Sequence, residues 1–234
     1  MRQASRAPRV SAPFSSPTLF AALPNDAFEV NRLSINVETL QVGEFRMNCY
    51  LVENTHTGET VIVDPGADGA RIIERIAKRK PVAVLLTHGH YDHIGAADAV
   101  CGHYHIPLYI HADDAEKLTD PELNVARVFG RETRVATKPV LLCDNQILLL
   151  GGMRITVLHT PGHSKGSVCY LLPDNAGLLS GDTLFDGGYG RYDFADGSFP
   201  ALKNSLRRIL FMRPRVIAYP GHGDSTWAGR DGQA

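Results

Sequence analysis

Apolar and polar positions along residues 28–234 follow two different periods. Residues 33–41, 47–53 and 60–64 are short segments rich in branched side chains and bounded by Gly, Asn and Asp, and they predict three strands. Residues 70–79 switch to the helical period, with Ile72, Ile73, Ile76 and Ala77 on one face. Pro81-Val82-Ala83-Val84-Leu85-Leu86 is an unbroken apolar run, as expected of a strand covered on both faces. A helix over 94–105, a short strand over 108–110 and a helix over 113–118 follow. Residues 119–138 are polar and predict a connection passing over a site. The second half repeats the grammar, with strands over 146–150, 153–159, 167–172, 177–180 and 215–219 and a helix over 199–212. Strands in series with interspersed helices imply two sheets back to back with helices outside.

Residues 1–27 break this pattern. They carry Arg2, Arg6 and Arg9, several Ser and four Pro before the first acid, Asp26. Such a composition cannot bury a core and is expected to be a flexible or targeting tail ahead of one domain over 28–234. Cytoplasmic placement is expected, with a mitochondrion or plastid as the alternative if the tail is a transit peptide.

At 234 residues and 44% hydrophobic content, the chain can bury one sizeable core. Its net charge of −1 offers no basic field for nucleic acid. No segment approaches the roughly 18 apolar residues of a membrane span. A small molecule is therefore the expected partner, and the oligomeric state stays open. The four cysteines, Cys49, Cys101, Cys143 and Cys169, form no C-x-x-C pair and are expected to be buried reduced thiols.

Chemistry gathers at strand ends. Thr87-His88-Gly89-His90-Tyr91-Asp92-His93 leaves the apolar run 81–86. Thr160-Pro161-Gly162-His163, Gly181-Asp182 and Pro220-Gly221-His222-Gly223 each follow a predicted strand, with Gly or Pro forming the turn. His88, His90, His93, His163 and His222 supply imidazoles, and Asp92 and Asp182 supply carboxylates. Seven such ligands exceed one tetrahedral zinc and suit two metals. His56, His103 and His105 are expected at the surface, and His111 and His159 in structural roles.

With these motifs the chain resembles the metallo-β-lactamase superfamily, in particular its glyoxalase II-like (hydroxyacylglutathione hydrolase-like) branch. The H-x-H-x-D-H run followed in order by His163, Asp182 and His222 carries the resemblance, which spans about residues 33–224. It implies an α/β fold of four layers, an αββα sandwich. It implies that His88, His90 and His163 bind one divalent ion, that Asp92, His93 and His222 bind a second, and that Asp182 bridges them. Zinc is the expected metal, with iron or manganese as alternatives. Asp64, in Val63-Asp64-Pro65-Gly66, matches the family's first motif and is expected to orient the ligand loop by hydrogen bonds.

The expected reaction is hydrolysis by a hydroxide held between the metals, with Asp92 and Asp182 as the catalytic carboxylates. Asp182 stands where many β-lactamases of the superfamily carry Cys, which disfavours antibiotic substrates. The segment Gly181 to Phe194 resembles the glyoxalase II and persulfide dioxygenase group. Arg191 matches a glutathione-binding lysine of glyoxalase II, so Arg191 and the nearby Tyr189 are expected to bind substrate, although an ion pair of Arg191 with Asp193 is an equal reading. Only twelve residues (234 − 222) follow His222, which favours a short, single-domain relative. The expected substrate is a thioester of a small thiol such as S-lactoylglutathione. An iron persulfide dioxygenase is the alternative, and a lactonase or other ester hydrolase ranks lower.

Overall fold

The computed structural model describes residues 34–76 and 78–230, so the expected tail over 1–27 lies outside the described residues. Two six-stranded sheets carry the fold. The first has the order β1 (Ile35–Val42), β2 (Met47–Asn54), β3 (Glu59–Val63), β4 (Lys80–Leu85), β5 (Leu108–His111), β6 (Val140–Leu142). The second has the order β12 (Thr226–Ala228), β11 (Val216–Pro220), β10 (Leu178–Gly181), β9 (Val168–Leu171), β8 (Met153–His159), β7 (Ile147–Leu150). Helices α1 (Gly69–Ile76), α2 (Tyr91–Ile94) and α3 (Ala97–Tyr104) belong to the first half, and α4 (Phe199–Leu210) to the second.

The period-2 alternation of strands decides the layering. In β2 and β3, Tyr50, Val52, Val61 and Val63 face the second sheet, where they meet Ile155, Val157 and Tyr170. Their neighbours Leu51 and Ile62 face the other way and pack with Ile72 and Ile76 of α1 and Val100 of α3. On the far side, Cys169, Leu178 and Val216 pack against Leu206 and Ile209 of α4. The result is the expected αββα sandwich. β3, β4, β5 and β6 run parallel and β10 runs parallel to β11, so several strands end at the same rim.

Three expectations need correction. The helix expected over 94–105 is split into α2 and α3, because Ala96 N donates to Pro65 O (2.8 Å) and the chain at Gly95 presses against the Gly66 carbonyl, where a Cβ would come within 2.4 Å. Residues 113–118 form part of a 3₁₀ turn, Ala112–Leu118, capped by His111 Nδ1 accepting from Asp113 N (3.3 Å). Thr226–Ala228 pairs antiparallel with β11, as its Thr and Trp favour. Cys49, Cys101 and Cys169 are buried free thiols, but Cys143 is exposed in the turn between β6 and β7.

Among the described residues no helix is long and apolar enough to cross a membrane. The two sheets are tied together just below the rim. Tyr170 Oη of β9 donates to Leu86 O at the exit of β4 (2.7 Å), with both residues fully buried. Tyr170→Phe leaves that carbonyl unpaired and is expected to lower unfolding free energy by about 1–3 kcal/mol in urea titration. A change indistinguishable from zero would show that the bond contributes nothing.

Candidate metal centre

Four strand ends meet at one rim. β4 runs out through Leu86 and Thr87 to His88 and His90, and α2 carries Asp92 and His93. β8 leads to His163, β10 to Asp182 and β11 to His222. Backbone bonds lock these exits across the sheets: Val168 N donates to Thr87 O (2.8 Å), Gly221 N to Gly181 O (2.9 Å) and Asn48 N to Gly221 O (2.7 Å). Position 221 must be glycine, since a Cβ there would lie 2.2 Å from Asp182 Oδ1 and 2.7 Å from His93 Cε1.

The structure brings all seven motif residues together. His163 Nε2 lies 2.9 Å from His90 Nδ1 and 3.2 Å from His88 Nε2. His222 Nε2 lies 3.3 Å from Asp92 Oδ2. Asp182 stands between the two groups, with Oδ1 3.4 Å from His93 Nε2, and Oδ2 3.6 Å from His163 Nε2 and 3.8 Å from His222 Nε2. In each of the sets His88–His90–His163 and Asp92–His93–His222, the ligand atoms lie within 4.8 Å of one another.

The far ring nitrogens explain why these lone pairs converge. His93 Nδ1 donates to Asp64 Oδ2 (2.9 Å). His88 Nδ1 donates to Thr87 Oγ1 (3.1 Å), whose own hydroxyl donates to Asp64 Oδ2 (2.6 Å). Asp64 Oδ1 also accepts from Thr87 N (2.7 Å), so one buried carboxylate sets two rings and the loop that carries them. His163 Nδ1 donates to Arg191 O (2.7 Å), and His222 Nδ1 to Phe45 O (3.4 Å). With Nδ1 committed, each of these four rings turns its Nε2 lone pair inward.

The two halves of the centre have opposite electrostatics. Burial, then the neighbouring imidazoles, push His88 and His90 well below the usual histidine range, so both stay neutral and ready to ligate. Burial opposes charge on His93 as well, but Asp182, Asp92 and Asp64 outweigh it and push this ring up to about 10. Asp92 is held below the ordinary carboxylate range because His93 and His222 overcome its burial. His93 Nε2 and Asp182 Oδ1 are buried with no hydrogen-bond partner, and they face each other. Two acceptors so placed need positive charge between them, either a proton, which the raised proton affinity of His93 would hold, or a metal ion in its place. The donor set therefore fits divalent metal.

One residue of the arrangement went unread in the sequence. Asp114, fully buried in the 3₁₀ turn after β5, accepts from Gly89 N (2.8 Å), Ser164 Oγ (2.7 Å) and Gly166 N (2.7 Å). It thus clamps the loop of His88 and His90 to the loop of His163. Its only sequence signal was an acid placed just after an apolar strand. Beside it, buried Lys117 donates to Asp196 Oδ2 (2.5 Å).

A cleft of about 370 Å³ opens over the centre, walled by Phe45, Tyr91, Val125, Phe129, Phe185 and Phe194. Val125 and Phe129 come from the 119–138 connection, which does pass over the site. Arg191 also lines the cleft, but its guanidinium is held by Asp193 in two hydrogen bonds of 2.7 and 2.8 Å. Tyr189 is not among the lining residues; its ring packs toward Phe199 instead, at 6.2 Å. His56, His103 and His105 are exposed. His111 and His159 stack with ring centroids 4.0 Å apart and planes 12° from parallel, an arrangement poorly suited to one ion in both ring planes, although Asp113 stands nearby.

Comparison with known proteins agrees with this geometry. The sequence pattern of a family described as Metallo-beta-lactamase superfamily matches residues 42–222. The hydroxyacylglutathione hydrolase GloC of Haemophilus influenzae is 32% identical over 202 residues, 84% of this chain and 95% of GloC. The crystal structure of the B3 metallo-beta-lactamase BLEG-1 is 38% identical with a TM-score of 0.78, covering 82% of this chain and 94% of that one. That of TTHA1623 in a di-iron-bound form is 34% identical with a TM-score of 0.73, covering 81% and 94%.

Asp114→Asn weakens the clamp without touching a metal-facing atom. It is expected to lower zinc affinity about 10–100-fold, measured by competition with a chromophoric chelator. An unchanged affinity would show that the two loops hold their places without it.

Proposed function

The chain belongs to the metallo-beta-lactamase superfamily, and from that premise we propose that it is a binuclear metal-dependent hydrolase cleaving the thioester of an acylated small thiol. The observation that carries the reading is the approach of His88 Nε2, His90 Nδ1 and His163 Nε2 beside a second, carboxylate-bearing set, with Asp182 between them. His88, His90 and His163 would hold one ion, Asp92, His93 and His222 the other, and Asp182 both. Zinc is the first candidate, and iron or manganese suits the same donors. Such ions, when bound, supply an acidified water and a Lewis acid for a carbonyl oxygen.

The chain's own groups complete the chemistry. Asp92, kept ionised by His93 and His222, accepts a hydrogen bond from the attacking water and fixes its direction. Asp64 and Thr87 keep the rings of His93 and His88 from rotating during turnover. The aromatic walls screen part of the centre from bulk water, which strengthens the interaction of the charges they cover. A thiolate departs without strong acid assistance, since a thiol ionises near pH 8.5. The likeness to GloC makes S-lactoylglutathione the first substrate to try.

A second reading is a persulfide dioxygenase using one iron on His88, His163 and Asp182, since His163 Nε2 lies 3.2 Å from His88 Nε2 and 3.6 Å from Asp182 Oδ2; the di-iron-bound form of TTHA1623 makes iron a metal to test. The likeness to BLEG-1 adds a lactam substrate to the comparison. Metal analysis is paired with thioester hydrolysis, lactam hydrolysis and persulfide-dependent oxygen uptake. Two ions per chain, with hydrolysis of the thioester fastest, is the expected result. One iron with oxygen uptake and no hydrolysis would overturn it. Asp182→Ala is expected to lose bound metal and to lower turnover by at least about 100-fold, since even residues that only position ligands cost 10–100-fold. Retained metal and turnover would refute its bridging role.

A further inference from the structure

The walls of the cleft carry information that the hydrolytic chemistry does not use. Phe45, Tyr91 and Phe129 form one aromatic cluster, with ring centroids of Phe45 and Phe129 5.4 Å apart and of Tyr91 and Phe129 5.2 Å apart. Val125 joins Tyr91 in the same apolar cluster. Beside the nitrogen-rich set, the Phe194 ring lies 5.2 Å from His90 and 6.4 Å from His163. Phe185 flanks His222 at 6.4 Å. Phe45 and Phe129 remain 43% and 42% exposed, so large apolar rings are left uncovered at the cleft mouth. Exposed apolar surface gathered at a concave, chemically active site marks a ligand surface.

Charge points the same way. Apart from the histidines, Arg191 is the one cationic residue lining the cleft among the described residues. One edge of its guanidinium, Nε and Nη2, is taken up by Asp193, and its flat face lies 4.2 Å from the Phe194 centroid. Arg191 therefore positions Phe194 as part of the wall, and Asp193 offsets its charge, leaving only Nη1 to meet a substrate carboxylate. In the neighbouring groove, Arg131 is paired with Glu44 at 2.8 Å.

We propose that this site selects thioesters whose acyl group has an uncharged, apolar body, an aliphatic chain or an aromatic ring, packed against Phe45, Phe129 and Phe194. The inference rests on the hydrolase reading and narrows it: the wall recognises the acyl body, and the anionic arms of a peptide thiol gain little. No new covalent step is involved. Water adds to the acyl carbon, the carbon–sulfur bond breaks, and the products are the carboxylic acid and the thiol.

The test uses the metal-loaded full chain and thioesters of one neutral thiol, N-acetylcysteamine, carrying acetyl, butanoyl, hexanoyl and phenylacetyl groups, with S-lactoylglutathione alongside. The value of kcat/KM is expected to rise about threefold to fourfold per methylene from acetyl to hexanoyl, the factor that burial of one methylene supplies. Phe129→Ala is expected to flatten that rise. Calorimetric binding of S-hexyl-N-acetylcysteamine, a thioether that cannot be hydrolysed, is expected to be tighter than that of the S-methyl analogue and to weaken in the same variant. Arg191→Ala is expected to lower the hexanoyl-to-acetyl ratio. A rise in KM confined to S-lactoylglutathione would instead make Arg191 an anion anchor and overturn the proposal. Hydrolysis with a flat or falling chain-length profile would also overturn it, while leaving the hydrolase reading intact. No hydrolysis of any thioester by a chain holding two ions would remove both.

Discussion

Two lone pairs aimed at each other in a buried space govern this molecule. His93 has committed its Nδ1–H to Asp64, so its Nε2 must face Asp182 Oδ1 at 3.4 Å with nothing between them to share. Neither atom has another partner. A protein can hold such a pair only by placing positive charge there, a proton on His93 or a metal in its place, and the metal also uses the convergence of the surrounding imidazoles. The same space divides in character. The side of His88, His90 and His163 is lined by neutral nitrogen, whereas the side of Asp92, His93 and His222 carries carboxylate and raises the proton affinity of its imidazoles. Asp182 touches both sides, and it is the one residue placed to couple them.

The sandwich exists to hold that geometry still. Neighbouring strands that run the same way finish at one rim, and the loops leaving them need only a few residues to reach a common centre. Each loop is then tied down from a different layer. α4 contributes Ser205, whose Oγ donates to Pro161 O (2.7 Å), while Ser198 N donates to Gly162 O (2.8 Å), so the outermost layer fixes the approach to His163. The first sheet reaches across through Tyr50, whose Oη donates to Pro220 O (2.6 Å) just before His222. Asp114 joins two ligand loops directly. Precision comes from many modest bonds converging on short loops rather than from any single strong one.

Much of this was readable in the chain, and the limits follow from range. The order of strands and helices is local information, so the layers were legible; the unbroken apolar character of β2 and β3 fits strands buried on both faces, with Tyr50 and Leu51 in opposite surroundings. The histidine motif was legible because its members sit at fixed offsets after apolar runs. β6 was missed, since three residues with Val140 and Leu141 exposed carry no periodic signal. The break between α2 and α3 depends on the chain around Gly66, thirty residues away, and no local pattern announces it. Asp114 looked like an ordinary turn acid because its donors come from residues 89, 164 and 166. The aromatic wall unites positions 45, 129 and 194, and between Tyr189 and Phe194 the sequence offered no reason to prefer the residue that lines the cleft.

The central claim is that seven side chains on four strand ends form one divided cation site. Anomalous X-ray diffraction at the zinc edge, from crystals of the full chain grown with excess zinc, tests it most directly. The account expects two peaks, one bounded by His88, His90 and His163 and one by Asp92, His93 and His222, with Asp182 reaching both. No peak at this rim, or zinc found only at His111, Asp113 and His159, would contradict it.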